Sequence, residues 1–133
     1  MRWALRVNPA DAVPIWKQIE EGIRRLVATG ALAPGGAVPS VRELAKGLQV
    51  NPATVAKAYQ RLTDAGIVEV RRGEGTFVRR DLPSLSVAER RGALREGAVR
   101  YASLAVTLGA ERKETLTEVE RAWDGLGAKG GRP

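Results

Sequence analysis

Residues 38–78 read VPSVRELAKGLQVNPATVAKAYQRLTDAGIVEVRRGEGTFV, and this stretch decides the fold. Near its start, Ser40 and Glu43 stand at the spacing of a capping box, in which each side chain binds a free backbone N–H in the first turn of a helix. A helix is therefore predicted to begin at Val41 and to end near Gly47. A turn of roughly three residues then leads to a second helix.

That second helix is marked by Asn51 as N-cap, by Pro52 at the first helical position and by Gly66 at the end. Because each residue advances by ~100°, its apolar residues share one arc. The arc comprises Val55, Ala58, Tyr59, Leu62 and Gly66. The opposite arc comprises Ala53, Lys57, Gln60, Arg61 and Asp64. A short capped helix after a tight turn, with small and polar residues at its exposed start, is typical of a helix that enters the DNA major groove.

A short basic hairpin is predicted after this helix. Residues 67–71 and 76–80 alternate as strands on either side of a turn over residues 72–75. Arg71 and Arg72 stand beside two flexible glycines, so guanidinium and backbone N–H groups can approach a phosphate or a minor groove. The Gly-Glu-Gly segment lacks the length and the neighbours of a dinucleotide-binding loop.

An amphipathic helix is predicted over residues 14–29, ahead of the quoted stretch. Its apolar positions recur at helical spacing and are Ile15, Ile19, Ile23, Leu26 and Val27. Pro14 suits a first turn, and Gly30 suits a helix end. Trp16 on this helix is interpreted as a core or interface residue rather than as one that stacks on a nucleic-acid base.

Two weaker signals precede and follow that helix. Residues 1–8 alternate loosely between apolar and polar, which predicts a short, half-buried strand. Such a strand needs a partner, and the hairpin near Phe77 is the other β candidate in the sequence. Residues 31–37 contain a Pro-Gly-Gly run and are predicted to form a turn.

Two further helices are predicted beyond the hairpin. After a linker at residues 81–83, Ser86 and Glu89 form another capping box, and Gly109 ends the helix that follows. A shorter helix is predicted over residues 111–123.

Both of these helices carry an apolar stripe with little core to cover it. The same hairpin of another copy would bury the two stripes, so a homodimer is predicted. The predicted dimerisation residues are Leu94, Tyr101, Leu104, Leu108, Leu116, Val119 and Trp123. The alternative, in which both helices pack back onto the N-terminal part of a monomer, stays open.

Composition narrows the chemistry. The 133 residues include no Cys and no His, which removes nearly all transition-metal sites, thiol nucleophiles and the usual general base. We therefore expect no enzyme, no metal and no cofactor. The first residues lack a continuous apolar leader, and no run approaches the ~20 apolar residues of a membrane span, so a cytoplasmic protein is expected.

The charge distribution indicates a polyanionic partner. The formal net charge is +7, which most simply suggests nucleic acid. Residues 1–80 hold 13 Lys and Arg against 7 Asp and Glu, whereas residues 81–133 hold 9 against 8. The basic surface therefore belongs to the first part of the chain.

Three segments resemble the signature of GntR-type winged helix-turn-helix repressors. They are VPSVRELA at residues 38–45, VNPATVAKAY at residues 50–59 and RGEGTFV at residues 72–78. The resemblance covers residues 14–78 and includes Leu62 and Gly66. The wording VNPATVAKAYQ and the short two-helix C-terminal part are further similar to the YtrA subfamily.

The resemblance implies a dimeric bacterial transcription factor that binds a palindromic operator in double-stranded DNA. Such proteins are commonly repressors of their own operon, often one that encodes an ABC transporter. The family's contacts come from the Arg of the first motif, the first turn of the recognition helix and the wing tip. With neighbouring polar groups included, the predicted DNA-binding residues are Ser40, Arg42, Asn51, Ala53, Thr54, Lys57, Arg71, Arg72, Gly73, Gly75 and Thr76.

This sequence departs from the wider family pattern at the recognition helix. Pro52 and Ala56 stand where many members carry Arg, which shifts the expected affinity towards Arg42, Lys57 and the wing. For Ser40 and Asn51, helix capping is the preferred interpretation and DNA contact the second one.

The predicted fold is α+β and mainly α. Residues 1–81 are expected to form a winged helix-turn-helix DNA-binding domain, residues 82–124 a two-helix dimerisation region and residues 125–133 a disordered tail. A non-specific nucleic-acid-binding or RNA-binding module stays open as the alternative, because the same basic surface would serve it. Whether a small-molecule effector binds also stays open, as do the operator sequence, the regulated genes and the direction of regulation.

Overall fold

The computed structural model describes residues 5–126, which form five helices and three short strands. They are α1 (Ile15–Thr29), β1 (Ala37–Val38), α2 (Val41–Leu48), α3 (Pro52–Asp64), β2 (Val68–Arg71), β3 (Gly75–Val78), α4 (Val87–Thr107) and α5 (Arg112–Gly125). The predicted α+β class with mainly helical content is confirmed. The chain divides into two compact units, Met1–Pro83 (unit 1) and Ser84–Pro133 (unit 2). Among the described residues, no helix is both long and apolar enough to cross a membrane.

Local capping explains where α2 and α3 begin. The Ser40 hydroxyl oxygen accepts a hydrogen bond from the Glu43 N–H at 3.0 Å, and the Glu43 carboxylate accepts one from the Ser40 N–H at 2.9 Å. The predicted capping box is therefore confirmed. Asn51 Oδ1 accepts the N–H of Ala53 at 2.8 Å, and Pro52 is the first residue of α3, as its missing N–H allows.

The end of α2 differs from the prediction. Gly47 lies inside the helix, which continues to Leu48, and Gln49 adopts φ 59° as the left-handed cap. The Gln49 N–H donates to the Ala45 carbonyl at the helix end. A left-handed non-glycine residue costs roughly 1–2 kcal/mol. The packing of α2 against α3 offsets that cost, because this cap sets the tight turn between the two helices.

The three strands form one antiparallel sheet in the order β1-β3-β2. The predicted β2–β3 hairpin is confirmed, and Arg71 lies opposite Gly75 at its end. On its other side, the central strand β3 pairs with β1, and Ala37 of β1 lies opposite Phe77 of β3. The prediction that residues 31–37 form only a turn is therefore wrong at its last residue, because two residues add the third strand.

The segment before α1 is held by side-chain contacts. Leu5 is buried in the core of unit 1. The Gln18 side chain accepts a hydrogen bond from the Asn8 N–H at 2.7 Å and donates one to the Asn8 carbonyl at 2.9 Å. Residues 5–8 form no strand, so the predicted N-terminal strand is wrong over that part, and residues 1–4 lie outside the described residues. The partner predicted for it at Phe77 pairs with β1 instead.

The core of unit 1 is almost entirely aliphatic. It comprises Leu5, Ile19, Ile23, Leu32, Val38, Leu44, Ala45, Val55, Ala58, Tyr59, Leu62, Ile67, Val68 and Val78. Four residues predicted for the inner arc of α3 are buried in it, namely Val55, Ala58, Tyr59 and Leu62, whereas Gly66 lies beyond the end of the helix and is half-buried. This core fixes α2 and α3 against α1 and leaves the outer arc of α3 facing solvent.

Unit 2 consists of α4 and α5. The capping box at its start is confirmed, because Ser86 and Glu89 exchange backbone-to-side-chain hydrogen bonds of 2.9 and 3.0 Å. The predicted tail was to begin at residue 125, but α5 continues to Gly125. The rest of the predicted tail, residues 127–133, lies outside the described residues. Ala105 is the one apolar residue that is buried in the described part of this unit.

Candidate nucleic-acid interface

The start of α2 presents one cation without a partner. Arg42 is exposed at the second position of α2 and takes part in no salt bridge within residues 5–126. Ser40 uses its hydroxyl oxygen as an acceptor in the cap, which leaves the hydroxyl proton available to donate. The guanidinium fork of Arg42 is therefore available for a guanine edge or a phosphate.

The first turn of α3 offers small and polar groups. Ala53 is exposed, and Thr54 beside it is half-buried. The oxygen of the Asn51 amide is occupied by the cap, whereas its NH₂ group keeps two donors. The predicted residues of this turn thus provide a methyl group, a hydroxyl group and an amide, which suit contacts with thymine and with the DNA backbone.

Lys57 on the exposed arc of α3 is held by an aromatic ring. Its Nζ lies 4.5 Å from the centre of the Trp16 ring on α1, and the Arg61 guanidinium carbon lies 4.8 Å from the same centre. Trp16 is half-buried and packs against the core, as its interpretation as a core or interface residue predicts. Its pairing with two cations was missed from the sequence, because Trp16 stands about 40 positions before Lys57 and Arg61 and no local pattern joins it to them.

Glu20 completes this arrangement from the next turn of α1. The Arg61 Nε donates to the Glu20 carboxylate at 2.8 Å, and Arg24 donates to the same carboxylate at 3.3 Å. Glu20 is the one charged residue that is buried among the described residues, with 8 % of its surface exposed. A buried carboxylate needs such partners, so this ion pair ties α1 to α3.

Tyr59 faces inwards, although its hydroxyl group is polar. The hydroxyl donates to the Pro39 carbonyl at 2.7 Å, which ties α3 to the segment before α2. Burial, with a smaller contribution from the nearby Glu43 charge, raises the pKa of Tyr59 well above its usual range. The residue therefore stays neutral and serves the core rather than a phosphate.

Arg71 in the wing has partners within its own hairpin. Its guanidinium carbon lies 4.2 Å from the centre of the Phe77 ring, and its Nη2 lies 3.0 Å from the Glu69 carboxylate. The side chain is half-buried. Of the two arginines predicted for DNA binding here, this one is therefore committed to stacking along the hairpin.

Arg72 occupies the wing tip without such partners. It is exposed and makes no salt bridge in the described part of the chain. The turn is closed by the Glu74 N–H, which donates to the Arg71 carbonyl at 2.8 Å, and Gly73 and Gly75 adopt φ 79° and 126°. Only glycine takes both conformations without strain, so these two residues shape the tip. Thr76 follows, half-buried, in β3.

The cation just beyond the wing is paired rather than free. Arg79 donates two hydrogen bonds of 2.9 Å to the Asp81 carboxylate. The side-chain hydrogen bond from Arg79 holds the pKa of Asp81 below its usual range. Arg79 therefore contributes less free positive charge than its position beside the wing suggests.

No group of three or more acidic, His or Cys side chains within residues 5–126 could hold a metal ion.

The seven predicted dimerisation residues all lie on unit 2 and are exposed in the single chain, with 36–72 % of each surface accessible. The eleven predicted DNA-binding residues all lie on unit 1. They stand at the starts of α2 and α3, at Lys57 in the second turn of α3, and at the wing.

Comparison with known proteins relates this arrangement to transcription regulators. The profile of the family described as bacterial regulatory proteins, gntR family, matches residues 16–78. The transcriptional repressor YtrA of Bacillus subtilis is 42 % identical over 74 residues, which cover 56 % of this chain and 57 % of the repressor. The regulator Rv1152 of Mycobacterium tuberculosis is 36 % identical over 112 residues, covering 84 % of this chain and 88 % of that protein.

Solved structures extend the likeness beyond unit 1. A transcriptional antiterminator from Listeria monocytogenes is similar over 95 % of this chain and 94 % of its own, with a TM-score of 0.75 and 28 % identity. The GntR-family transcription factor YtrA from Sulfolobus acidocaldarius is 37 % identical over 76 % of this chain and 97 % of its own, with a TM-score of 0.57. The DNA-binding domain of AraR, solved in complex with operator ORX1, matches 56 % of this chain and 92 % of its own, with a TM-score of 0.50 and 29 % identity.

Proposed function

The chain belongs to the gntR family of bacterial regulatory proteins, and from this premise we propose that it is a dimeric repressor that binds a palindromic DNA operator. Its relatives are transcriptional regulators and not enzymes. The observation that carries the proposal is the set of unpartnered donors on unit 1. Arg42 and Arg72 are exposed without an acidic partner in the described residues, and both stand at positions from which winged helix-turn-helix proteins contact DNA.

We assign the base contacts to Arg42 and to the first turn of α3. A guanidinium fork pairs with guanine through two hydrogen bonds, and the methyl and hydroxyl groups of Thr54 suit a thymine methyl and a phosphate. Ala53 and Pro52 add no hydrogen bond to a base, so Arg42 carries more of the sequence discrimination than α3 does. Related DNA-binding domains have been solved on operator DNA, which supports this mode of binding.

We assign backbone contacts to Lys57 and to the wing. Arg72 and the glycine-rich tip can approach a phosphate or a minor groove closely, because neither Gly73 nor Gly75 carries a side chain. Arg71, stacked on Phe77, stiffens the hairpin that presents them. Each phosphate contact adds affinity that salt weakens and that depends little on sequence.

The dimer is proposed to form through unit 2. Of the thirteen large hydrophobic side chains that are exposed in the described chain, twelve lie on this unit. The groove between α4 and α5, of about 700 Å³, is lined almost wholly by apolar atoms, including those of Leu94, Tyr101 and Trp123. A second copy of the hairpin is its occupant, because unit 2 is nearly neutral and two copies can approach without strong repulsion.

We further propose that the protein belongs to the YtrA subfamily and acts in the cytoplasm. The identity to YtrA of Bacillus subtilis and the short two-helix unit 2 support it. By the same resemblance, an operon encoding an ABC transporter is the proposed target. Two copies would present two α3 helices to successive major grooves about one helical turn apart, or a multiple of it, and would exclude RNA polymerase sterically.

Selection of preferred sites from random duplex DNA, followed by footprinting, tests the proposal. We expect an inverted repeat whose two half-sites are protected together. Uniform binding to every duplex, weakening with salt and leaving no footprint, would contradict it and would favour a non-specific nucleic-acid-binding module. A selected site without two-fold symmetry would refute the symmetric dimer alone.

A further inference from the structure

The ring of Trp16 joins the first turn of α1 to the DNA-facing arc of α3. Two cations one helical turn apart on α3, Lys57 and Arg61, both lie within 5 Å of its centre, at 4.5 and 4.8 Å. Trp16 is itself packed against the core of unit 1. A rigid, anchored ring thus meets two long side chains that are otherwise exposed.

The two cations differ in how their charge is compensated. Arg61 donates to the buried Glu20 carboxylate at 2.8 Å, so its charge is largely neutralised within the protein. Lys57 makes no salt bridge with any described residue, and the ring is its partner. An ammonium group has three donors, and a ring face takes up only one side of it, so the other side stays open to a phosphate oxygen.

We infer that Trp16 is a positioning residue for DNA binding, which holds the Lys57 ammonium on the exposed side of α3 before DNA arrives. The inference rests on the proposed function. A free lysine side chain loses rotamer freedom when it binds a phosphate, and a side chain already confined by the ring loses less. The ion pair between Arg61 and Glu20 joins α3 to α1 and thereby holds the Trp16 ring in place.

The test is a double-mutant cycle measured by fluorescence anisotropy. The probe is a fluorescein-labelled 30-base-pair duplex carrying the inverted repeat that the full chain selects. We expect Trp16→Leu to weaken binding about two- to tenfold, which corresponds to the cost of ordering one lysine side chain that the ring no longer confines. Lys57→Ala should weaken binding further and should lower the salt dependence by about one phosphate contact. The double variant should bind no more weakly than Lys57→Ala alone.

A purely structural role for Trp16 predicts a different pattern. If Trp16→Leu weakens binding as much in the Lys57→Ala background as in the wild type, Trp16 does not act through Lys57 and the inference fails. Trp16→Phe keeps a ring face, so it should restore most of the affinity lost in Trp16→Leu. A Phe variant that binds as weakly as the Leu variant would also overturn the inference.

A further measurement keeps the shape of the ring unchanged, in case Trp16→Leu does not fold. Site-specific replacement of Trp16 by a multiply fluorinated tryptophan withdraws charge from the ring face and weakens its attraction for a cation. We expect fluorination to lower the DNA affinity of the wild-type chain and to leave the affinity of the Lys57→Ala variant unchanged. Unchanged affinity would refute the positioning role, whereas absence of any binding by the wild-type chain would refute the proposed function itself.

Discussion

Unit 1 and unit 2 use their apolar residues in opposite ways. Within residues 5–83, unit 1 buries fourteen hydrophobic residues in one cluster and leaves a single large one, Val70, exposed. Unit 2 buries only Ala105 among its described residues and exposes twelve large ones. The first unit has a core of its own, so its surface is free to carry charged donors. The second has an apolar surface in place of a core, so its stability depends on what covers that surface.

The largest expected effect comes from placing charge on the apolar surface of unit 2. Leu94→Lys combined with Leu104→Lys should abolish the dimer, because an unpaired charge buried at an interface costs about 3 kcal/mol or more. Sedimentation at micromolar concentration should then show monomers, and binding to the selected palindrome should weaken. Glu96→Gln with Glu114→Gln adds the same net charge at two exposed residues that do not line the apolar groove, so it should leave the dimer intact. A dimer that survives the two lysines would place the interface elsewhere.

The next effect separates a true core position from a surface one. Leu44→Ala should lower the free energy of unfolding by about 2–5 kcal/mol at every protein concentration, because Leu44 is fully buried. Its matched variant, Leu94→Ala, removes the same atoms from a residue that is 69 % exposed in the single chain. Its cost should therefore appear only where the dimer forms, as a midpoint that depends on protein concentration. Equal, concentration-independent losses in urea denaturation would show that unit 2 packs within one chain.

A smaller effect concerns DNA contact and should leave assembly untouched. Arg42→Ala should weaken binding to the selected operator by about 1–3 kcal/mol while the dimer and the melting temperature stay as in the wild type. Arg100→Ala removes the same charge from the exposed surface of unit 2 and serves as the control for net charge. Anisotropy titrations in which both variants lose the same affinity would mean that Arg42 acts only through the overall charge.

The smallest effect is a difference in acid sensitivity at the start of α4. Hydrogen bonding to the Ser86 N–H holds the pKa of Glu89 below its usual range. Because the folded-state pKa is the lower one, the stabilisation is present above the unfolded-state pKa and is lost as pH falls through the folded-state pKa. Helix content measured by circular dichroism should therefore decline at acid pH. Glu89→Gln keeps a capping side chain without a charge, so it should remove this part of the pH dependence.

Short-range signals predicted much of the fold. The capping boxes at Ser40 and Ser86 and the cap at Asn51 lie where the sequence places them, because each involves residues three or fewer positions apart. The inner arc of α3 was also predictable, since helical periodicity alone decides which residues share a face. The division of charge between the two parts of the chain likewise follows from counting residues.

Contacts between residues that are distant in the sequence were not predicted. The two-residue strand β1 carries no alternation of its own and exists because β3 offers a free edge beside it. Gln49 takes a left-handed conformation normally left to glycine, because the packing of α2 on α3 decides where the turn falls. At the candidate interface, the sequence placed both Arg71 and Arg72 among the predicted DNA contacts, whereas the structure stacks Arg71 on Phe77 and leaves Arg72 exposed.

The sequence by itself determined where the helices of the winged helix-turn-helix begin, which face of α3 is buried, and which family's motifs the chain carries. The tertiary structure alone decided which cations are free and which are held. Capping and periodicity depend on neighbours within one turn of a helix, whereas the environment of Lys57, Arg61 and Arg71 depends on Trp16, Glu20 and Phe77, and only folding brings these groups together.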